Sequence, residues 1–359
     1  MKNQARDFFY FSIFCTFTYI LISIHAEQKQ VNVSQQIKSL VSSVIKTAID
    51  VFKFEDQTYF TEFNFSKLKP SVNDTISQAL DFIPRATLIN GAKEMLMHKE
   101  IFMGTARDNS KEIKPVLKYI SMTGSMFRDY RVIIIENDSK DGTLELLMNW
   151  KLEHPGKVQI INKTFNLQKR PSLRFLSSIR NLYLFEAKNN SAYNDFDVFI
   201  VVDMDMTYGW DLRGVLHSFS KYDEWDVVSA NGIFNQHFWM YDLLAFRVNK
   251  TTTNETFHRP NKEDIKNGKF NMGGYFSYLF NTHGKIVYKP SNTSDYLVPV
   301  DSAFGGMAFY KRKITKDCYY DSELEDCDHP TLHDCIQTRN GGKIFLNPAM
   351  LIKYRHYET

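Results

Sequence analysis

The chain is read from Asp197 to Asp211, Asp-Val-Phe-Ile-Val-Val-Asp-Met-Asp-Met-Thr-Tyr-Gly-Trp-Asp. Val198 to Val202 is a run of apolar, mostly β-branched or aromatic residues. It is too short for a helix and bounded by charge, which is the pattern of a buried strand. The run stops at Asp203-Met204-Asp205. In an open α/β sheet, ligands bind just beyond the carboxyl ends of the strands. Two carboxylates one residue apart at that edge can share a hard divalent cation, directly or through water, and leave coordination positions for a diphosphate. An acidic turn after a strand has the same letters, so the neighbouring segments decide.

Those segments alternate. Ile101 to Met103 runs into Gly104-Thr105-Ala106-Arg107-Asp108, a strand ending in small residues that permit close ligand approach. A helix is predicted from about Glu112 to Met122, a strand at Val132 to Ile135, and a helix from Thr143 through Leu144, Leu147 and Trp150. Val158 to Ile161 reads as a third strand, and Leu173 to Ala187 as a long helix containing Arg180-Asn181. Strand and helix in this rhythm predict an α/β fold, a mixed and mostly parallel sheet with helices on both faces. Within the loop Glu136 to Thr143, the acid at the strand end suits a ribose or base edge. Ser139 and Asp141 suit a helix cap and Gly142 a tight turn, and an ordinary capped strand-to-helix turn accounts for the same residues.

Taken together, the segments resemble the nucleotide-sugar glycosyltransferases of the GT-A (Rossmann-like) fold, nearest in pattern to the large inverting family two. In that family an acid-rich loop ending Ser-x-Asp-Gly-Thr, a helix carrying Arg-Asn and a strand ending Asp-x-Asp occur in order. Here they are Glu136 to Thr143, Arg180-Asn181 and Asp203-Met204-Asp205. The later family elements resemble Phe304 to Phe309, Cys327-Asp328 and Gly341 to Phe345, with Cys327 standing where the family has Glu. The likeness runs from about Glu100 to Pro348, and Ala230 to Pro299 has no clear counterpart. Asn231-Gly232 and the segment Tyr241 to Arg247 also resemble the cryptococcal-capsule type of mannosyltransferases.

The resemblance implies a metal-dependent, inverting transfer of a sugar from a nucleoside diphosphate sugar to a glycan or glycoprotein acceptor. It places Glu136 and Asp138 at the nucleoside, Ala106 and Arg107 near base and ribose, and Arg180 at the nucleotide or diphosphate, where a guanidinium matches phosphate oxygens in pairs. Manganese or magnesium would sit at Asp203 and Asp205, Gly305-Gly306 would admit the donor sugar, and Asp328 would be the base. Trp239 and Tyr241 are read either as stacking platforms for acceptor sugars or as core aromatics. His329 and His333, four apart, share a helical face; either one completes the metal shell or both are structural.

Val-Asp-Met-Asp-Met-Thr also fits the first motif of haloacid-dehalogenase-type phosphatases, with Asp203 as nucleophile and Asp205 as acid. That fold opens on its motif strand, however, whereas here about a hundred residues of α/β pattern come first. Cys327 also leaves a third reading, a sugar-binding relative without catalysis.

The flanks suggest an address. Phe8 to Ile24 is uncharged and rich in Phe, Ile and Tyr, with Lys2 and Arg6 before it. Its length is at the short end of the ~17–25 residues that span a bilayer and longer than a ~7–15-residue signal core. Two readings stay open. One is a signal anchor, with 1–7 cytoplasmic and a single-pass type II placement in the Golgi or endoplasmic reticulum membrane. The other is a signal peptide cleaved near Ala26, giving a secreted protein. Residues 25–95 read as a stem with an amphipathic helix at Ile37 to Phe52, and 96–359 as the catalytic domain. N-glycosylation tripeptides begin at Asn32, Asn64, Asn73, Asn137, Asn162, Asn189, Asn249, Asn254 and Asn292, with Asn137 at the expected nucleotide edge and so expected unmodified. In an oxidising lumen Cys318 could pair with Cys327, leaving Cys335 over, although sequence does not decide connectivity. A net charge of +3, from 44 basic and 41 acidic residues, argues against a nucleic-acid partner. With 43% hydrophobic and 14% aromatic residues, the core material is ample.

Overall fold

The structure is a computed structural model and describes residues 83–167, 172–234, 239–247, 296–323 and 327–354. The apolar segment 8–24, most of the expected stem and six of the nine glycosylation tripeptides (Asn32, Asn64, Asn73, Asn249, Asn254, Asn292) lie outside them. Among the described residues no helix is long and apolar enough to cross a membrane.

Helix α1 (Arg85–Met95) is followed by β1 (Lys99–Ala106), α2 (Ile113–Gly124), β2 (Asp129–Asn137), α3 (Thr143–Glu153), β3 (Val158–Lys163) and α4 (Leu173–Asn189). Then come β4 (Val198–Val202), α5 (Leu212–Ser220), β5 (Val227–Phe234), β6 (Trp239–Met240), β7 (Val298–Pro299), β8 (Met307–Lys311), α6 (Asp328–Asn340) and β9 (Ile344–Tyr354). The sheet runs β3-β2-β1-β4-β8-β5-β9-β7, with β6 hanging from β5. β1, β2, β3 and β4 are mutually parallel, and β5 pairs parallel with β9. β8 runs antiparallel between β4 and β5, and β7 antiparallel on β9. The mixed, mostly parallel sheet expected from the alternation is therefore present.

Both faces of the sheet are covered because the central strands are apolar on both sides. On β4, Val198, Ile200 and Val202 face one layer with residues of α1, α2, α3 and α5, while Phe199 and Val201 face the layer of α4 and α6. All five are buried, each contributing about 1.5–3 kcal/mol relative to exposure. Parallel strands with both faces covered read as continuous apolar runs, which is why β1, β2 and β4 were visible in sequence.

Three parts of the sequence reading are corrected here. Arg85–Met95, expected as the end of the stem, is a core helix: it buries Gly91, Ala92 and Met95. A Cβ on Gly91 would lie 1.9 Å from the Leu216 carbonyl oxygen of α5, so the two helices meet backbone to backbone. Cys318 pairs with Cys335, not Cys327, their Cα atoms 5.6 Å apart, and joins the turn after β8 to the middle of α6. Cys327 is a buried free thiol, and burial beside Asp242 and Asp328 pushes it well above its ordinary pKa, which leaves it inert.

Candidate active site

The carboxyl ends of β1, β2 and β4 lie side by side, and backbone-directed hydrogen bonds tie their loops together. The Asp108 amide donates to Ser139 Oγ (3.0 Å), the Lys140 amide to Asp108 Oδ1 (2.7 Å) and the Ser110 amide to Asp141 Oδ2 (2.8 Å). The Asp141 carboxylate also accepts from the Thr143 amide and hydroxyl at the start of α3, whose cap position is held by Gly142, and these bonds bring its pKa down to about 2 against the effect of burial. Asn109 crosses to the third loop: its amide donates to Thr143 Oγ1 (2.9 Å) and its side chain to the Met204 carbonyl (2.9 Å). Asn109 thus fixes the middle of Asp203-Met204-Asp205. Nothing in a single Asn within a polar loop announced that role.

Asp203 follows β4, its amide donating to the Gly306 carbonyl at 2.9 Å. Its Oδ1 receives Arg180 NH2 at 3.1 Å and its Oδ2 the Tyr241 hydroxyl at 2.9 Å. Arg180 comes from α4 and is buried between two carboxylates, its Nε 2.6 Å from Asp328 Oδ2. That contact is an ion pair whose N–H is not aimed along the line of a hydrogen bond. Asp328 opens α6, where the helix dipole favours its charge, and its Oδ1 accepts from the His329 amide at 3.1 Å. With only 3% of its surface exposed, Asp328 is walled in by these partners.

The electrostatic balance is negative. Burial would lower the Arg180 pKa, but Asp328 and Asp203 beside it raise it well above the ordinary value. Asp203 is itself raised, by burial first and by Asp328, against Arg180 and Tyr241. Asp242, in the turn after β6, is pushed up to about 7 by burial and by Asp203 and Asp328, Arg180 opposing. Among the described residues Arg180 lies between Asp203 and Asp328 with Asp242 near, and hard oxygen donors in excess negative charge are what a divalent cation requires. Asp203 and Asp205 fit such an ion, because each carboxylate oxygen keeps a second lone pair beside any one hydrogen bond.

The structure brings together Arg180, Asp203, Asp328 and Gly305-Gly306. The glycines are needed: at φ 62° and 92°, a Cβ would meet the Ala230 carbonyl oxygen at 2.1 Å and Met206 Cε at 2.5 Å respectively. At the nucleotide edge, Ala106 ends β1, and Glu136, buried at the end of β2, accepts from the Ser139 amide at 3.1 Å. Arg107 donates to the Leu167 carbonyl at 2.8 Å. Asp138 is engaged by its own surroundings. Its Oδ1 takes the amides of Phe165 (3.0 Å) and Asn166 (2.9 Å), so it pins the loop after β3.

Other expectations change. His333 is fully buried, with Nδ1 2.8 Å from Ser302 Oγ and Nε2 2.9 Å from Tyr310 Oη, and burial pulls its pKa down to about 3. Both nitrogens are taken, which makes it a structural histidine. His329 stacks on Phe304 with ring centroids 3.6 Å apart, and burial with Arg180 nearby keeps it neutral. Among the described residues no three His, Cys, Asp or Glu side chains converge on one point, and both ring nitrogens of His329 are buried without a hydrogen-bond partner. Tyr241 is no open platform, since it stacks on Tyr354 (4.8 Å) and bonds Asp203. Trp239 pairs with Phe234 through β6, and its side chain lies outside the described residues. For the phosphatase alternative, β4 follows three strands among the described residues, whereas that fold opens on its motif strand. Asp242 lies in the Tyr241 to Arg247 segment that resembles the cryptococcal-capsule type of mannosyltransferases, but that resemblance attaches no role to it.

No family model matches the sequence, and no curated protein matches it. Among solved structures, TarS 1-349 of S. aureus is similar over 71% of this chain and 60% of its own, at 14% identity and a TM-score of 0.40. This chain thus spans about three-fifths of that structure's length. The mannosyltransferase PcManGT of Pyrobaculum calidifontis, in complex with GDP-Man and Mn2+, is similar over 79% of this chain and 67% of its own, at 13% identity and a TM-score of 0.41. GalNAc-T7 with UDP, GalNAc and Mn2+ is similar over 72% and 44%, at 10% identity and a TM-score of 0.43. At such scores the likeness carries no argument about activity.

Proposed function

We propose that the protein is a glycosyltransferase that moves a sugar from a nucleoside diphosphate sugar to a glycan or glycoprotein hydroxyl, with inversion. The observation that carries this reading is the Arg180–Asp203–Asp328 cluster beside Gly305-Gly306 at the carboxyl end of β4. A cation and two carboxylates next to backbone open to close approach suit a charged diphosphate joined to a sugar. Asp203 and Asp205 would hold manganese or magnesium, whose charge offsets that of the leaving diphosphate. Arg180 would bind the diphosphate oxygens in pairs, and Glu136 with Ala106 and Arg107 would form the nucleoside side. The resemblance gives the role of base to Asp328. The geometry supports a different one, that of anchoring Arg180.

The test is binding. A panel of uridine and guanosine diphosphate sugars is titrated calorimetrically with manganese, then with chelator. Saturable binding that depends on metal is expected, followed by release of the nucleoside diphosphate. Binding unchanged in chelator rejects metal dependence, and no binding by any donor rejects the reading.

We also propose a lumenal placement in the Golgi or endoplasmic reticulum, membrane-attached through residues 8–24 or secreted after their removal. The Cys318–Cys335 bridge supports an oxidising compartment. Asn162 and Asn189 are exposed acceptors, whereas Asn137 is buried and closed to a glycan. Glycosidase treatment should therefore shift the mobility of the protein; an unglycosylated cytosolic product rejects the placement.

A further inference from the structure

Two carboxylates compete for the acceptor side of the site, and their surroundings differ. Asp328 is closed in, one oxygen against Arg180 Nε at 2.6 Å and the other on the His329 amide at 3.1 Å. Asp242 is half-buried and lines a cavity with Gly232, Tyr241, Ala303, Phe304 and Gly305. That cavity measures ≈ 10 Å³, about the room one water or one hydroxyl oxygen takes. Its wall is backbone: a Cβ on Gly232 would meet the Gly305 carbonyl oxygen at 2.3 Å. The donor-side glycine Gly305 and the Asp242 carboxylate thus share one small space.

Asp242 is also held there deliberately. It adopts φ 51°, a left-handed conformation that costs most residues and that Asp and Asn tolerate best. The Tyr241 amide before it donates to the Gly232 carbonyl at 2.8 Å, and the Asp242 carbonyl accepts from the Ala245 amide at 3.1 Å. The same turn sends the Tyr241 hydroxyl to Asp203 at 2.9 Å. One turn therefore registers Asp242 against the carboxylate proposed to hold the cation.

We infer that Asp242 takes the proton of the attacking acceptor hydroxyl, and that Asp328 is a positioning residue for Arg180. This rests on the transferase reading above. As the acceptor oxygen bonds to the anomeric carbon, its O–H bond breaks and the proton passes to an Asp242 oxygen. The anomeric C–O bond to the diphosphate breaks, and its electron pair leaves with the diphosphate. The charged groups that act on Asp242 are Asp203, Asp328 and Arg180; burial and the two carboxylates outweigh the guanidinium. Unlike Asp328, whose oxygens face Arg180 and the His329 amide, Asp242 presents its carboxylate to the small cavity it shares with Gly305.

The experiment compares Asp242→Asn and Asp328→Asn in the full chain, with the donor panel, manganese and simple sugar acceptors, water serving where no acceptor reacts. Asp242→Asn keeps a residue that tolerates φ 51°, and an unchanged melting profile below pH 5 verifies the fold. Asp242→Asn should lower kcat by ~100-fold, the scale of losing a general base, leave donor affinity as it was and remove the acidic limb of the pH profile. Asp328→Asn should instead raise the donor KM while keeping that limb. The inference is overturned alone if Asp242→Asn reacts at the wild-type rate, or if Asp328→Asn carries the kcat loss and the lost limb. A wild-type protein that neither binds nor consumes any donor overturns the transferase reading, and this inference with it.

Discussion

An aspartate stands at each end of β4, and the two have opposite surroundings. Asp197 precedes the strand. It accepts His98 Nδ1 at 2.5 Å and the Lys99 amide at 2.9 Å, and these bonds lower its pKa although burial would raise it. His98 bonds Glu94 through its other nitrogen at 2.9 Å, and the two carboxylates raise its pKa against the effect of burial. The Asp197–His98 pair is matched, although Glu100 on the neighbouring strand is buried without a hydrogen-bond partner and is pushed well above its ordinary pKa by burial, Asp129 and Asp197. Asp203 follows the strand only a few residues later, and there burial and neighbouring carboxylates leave it raised. A fold gains nothing from crowded carboxylates, which repel and are costly to desolvate. The Asp197–His98 pair at one end therefore stabilises the fold, whereas the crowding around Asp203 at the other is what the proposed cation would relieve.

The strongest test of this contrast is Arg180→Ala. It strands Asp328 as a buried unpaired charge, and an expected loss of about 3–5 kcal/mol is read by urea unfolding. A loss under about 1 kcal/mol would mean that the cluster is not as closed as its geometry shows. Replacing Asp203 and Asp205 together with Asn should lower transfer by ~10³-fold, the scale of several kcal/mol of charge stabilisation, without lowering the melting temperature. Removing the Cys318–Cys335 bridge by paired Ser substitution should cost about 3 kcal/mol, the loop-closure value for a link of this span, and should loosen α6 and so Asp328. Unfolding in the presence and absence of reductant measures it.

Smaller effects separate the two ends by pH. Asp242 is raised to about 7 in the folded protein, so the folded state holds its proton longer than the unfolded chain does. Its contribution to stability falls as pH rises from the unfolded value of about 4 through about 7. Without added metal, Asp242→Asn should melt with wild type at pH 4 and above it at pH 8. His98 has the same sign of shift but the opposite meaning. Its stabilisation is full below the unfolded pKa of about 6.5 and is lost as pH rises through the raised folded value. The partners are more than a third exposed, so His98→Gln should cost under about 1 kcal/mol at pH 5.5 and less at pH 9. Equal effects at both values would show that His98 acts through packing on Tyr222 alone, 4.1 Å away.

The strands around Asp203 were legible because a parallel sheet covered on both faces writes itself as uninterrupted apolar runs ended by charge. Gly305-Gly306 and Arg180 came through as parts of an ordered pattern. The partnership of Arg180 with Asp328 did not, since residues 148 positions apart meet only through the packing of α4 on α6. Asp242 carries its meaning in a backbone turn, and no spacing encodes it. The disulfide partner of Cys318 depends on where α6 lies, which three cysteines in a row cannot tell. His333 looked like a ligand because a histidine that bridges Ser302 and Tyr310 has the same letter as one that binds a metal.

Helix α1 has a consequence for where the chain tolerates a cut. The segment leading in from residue 83 enters a core layer directly, with Gly91 against the carbonyl of Leu216 and Gly214 of the same α5 against Ala349 of β9. A protease cutting ahead of Pro84 would shed a body with both core layers whole. One cutting just past Met95 would strip α1 from α5, expose Val215, Leu216 and Phe219 to water, and free a fragment prone to aggregate. Over little more than ten residues, the position of a cut therefore decides whether the core layer that α1 covers stays closed.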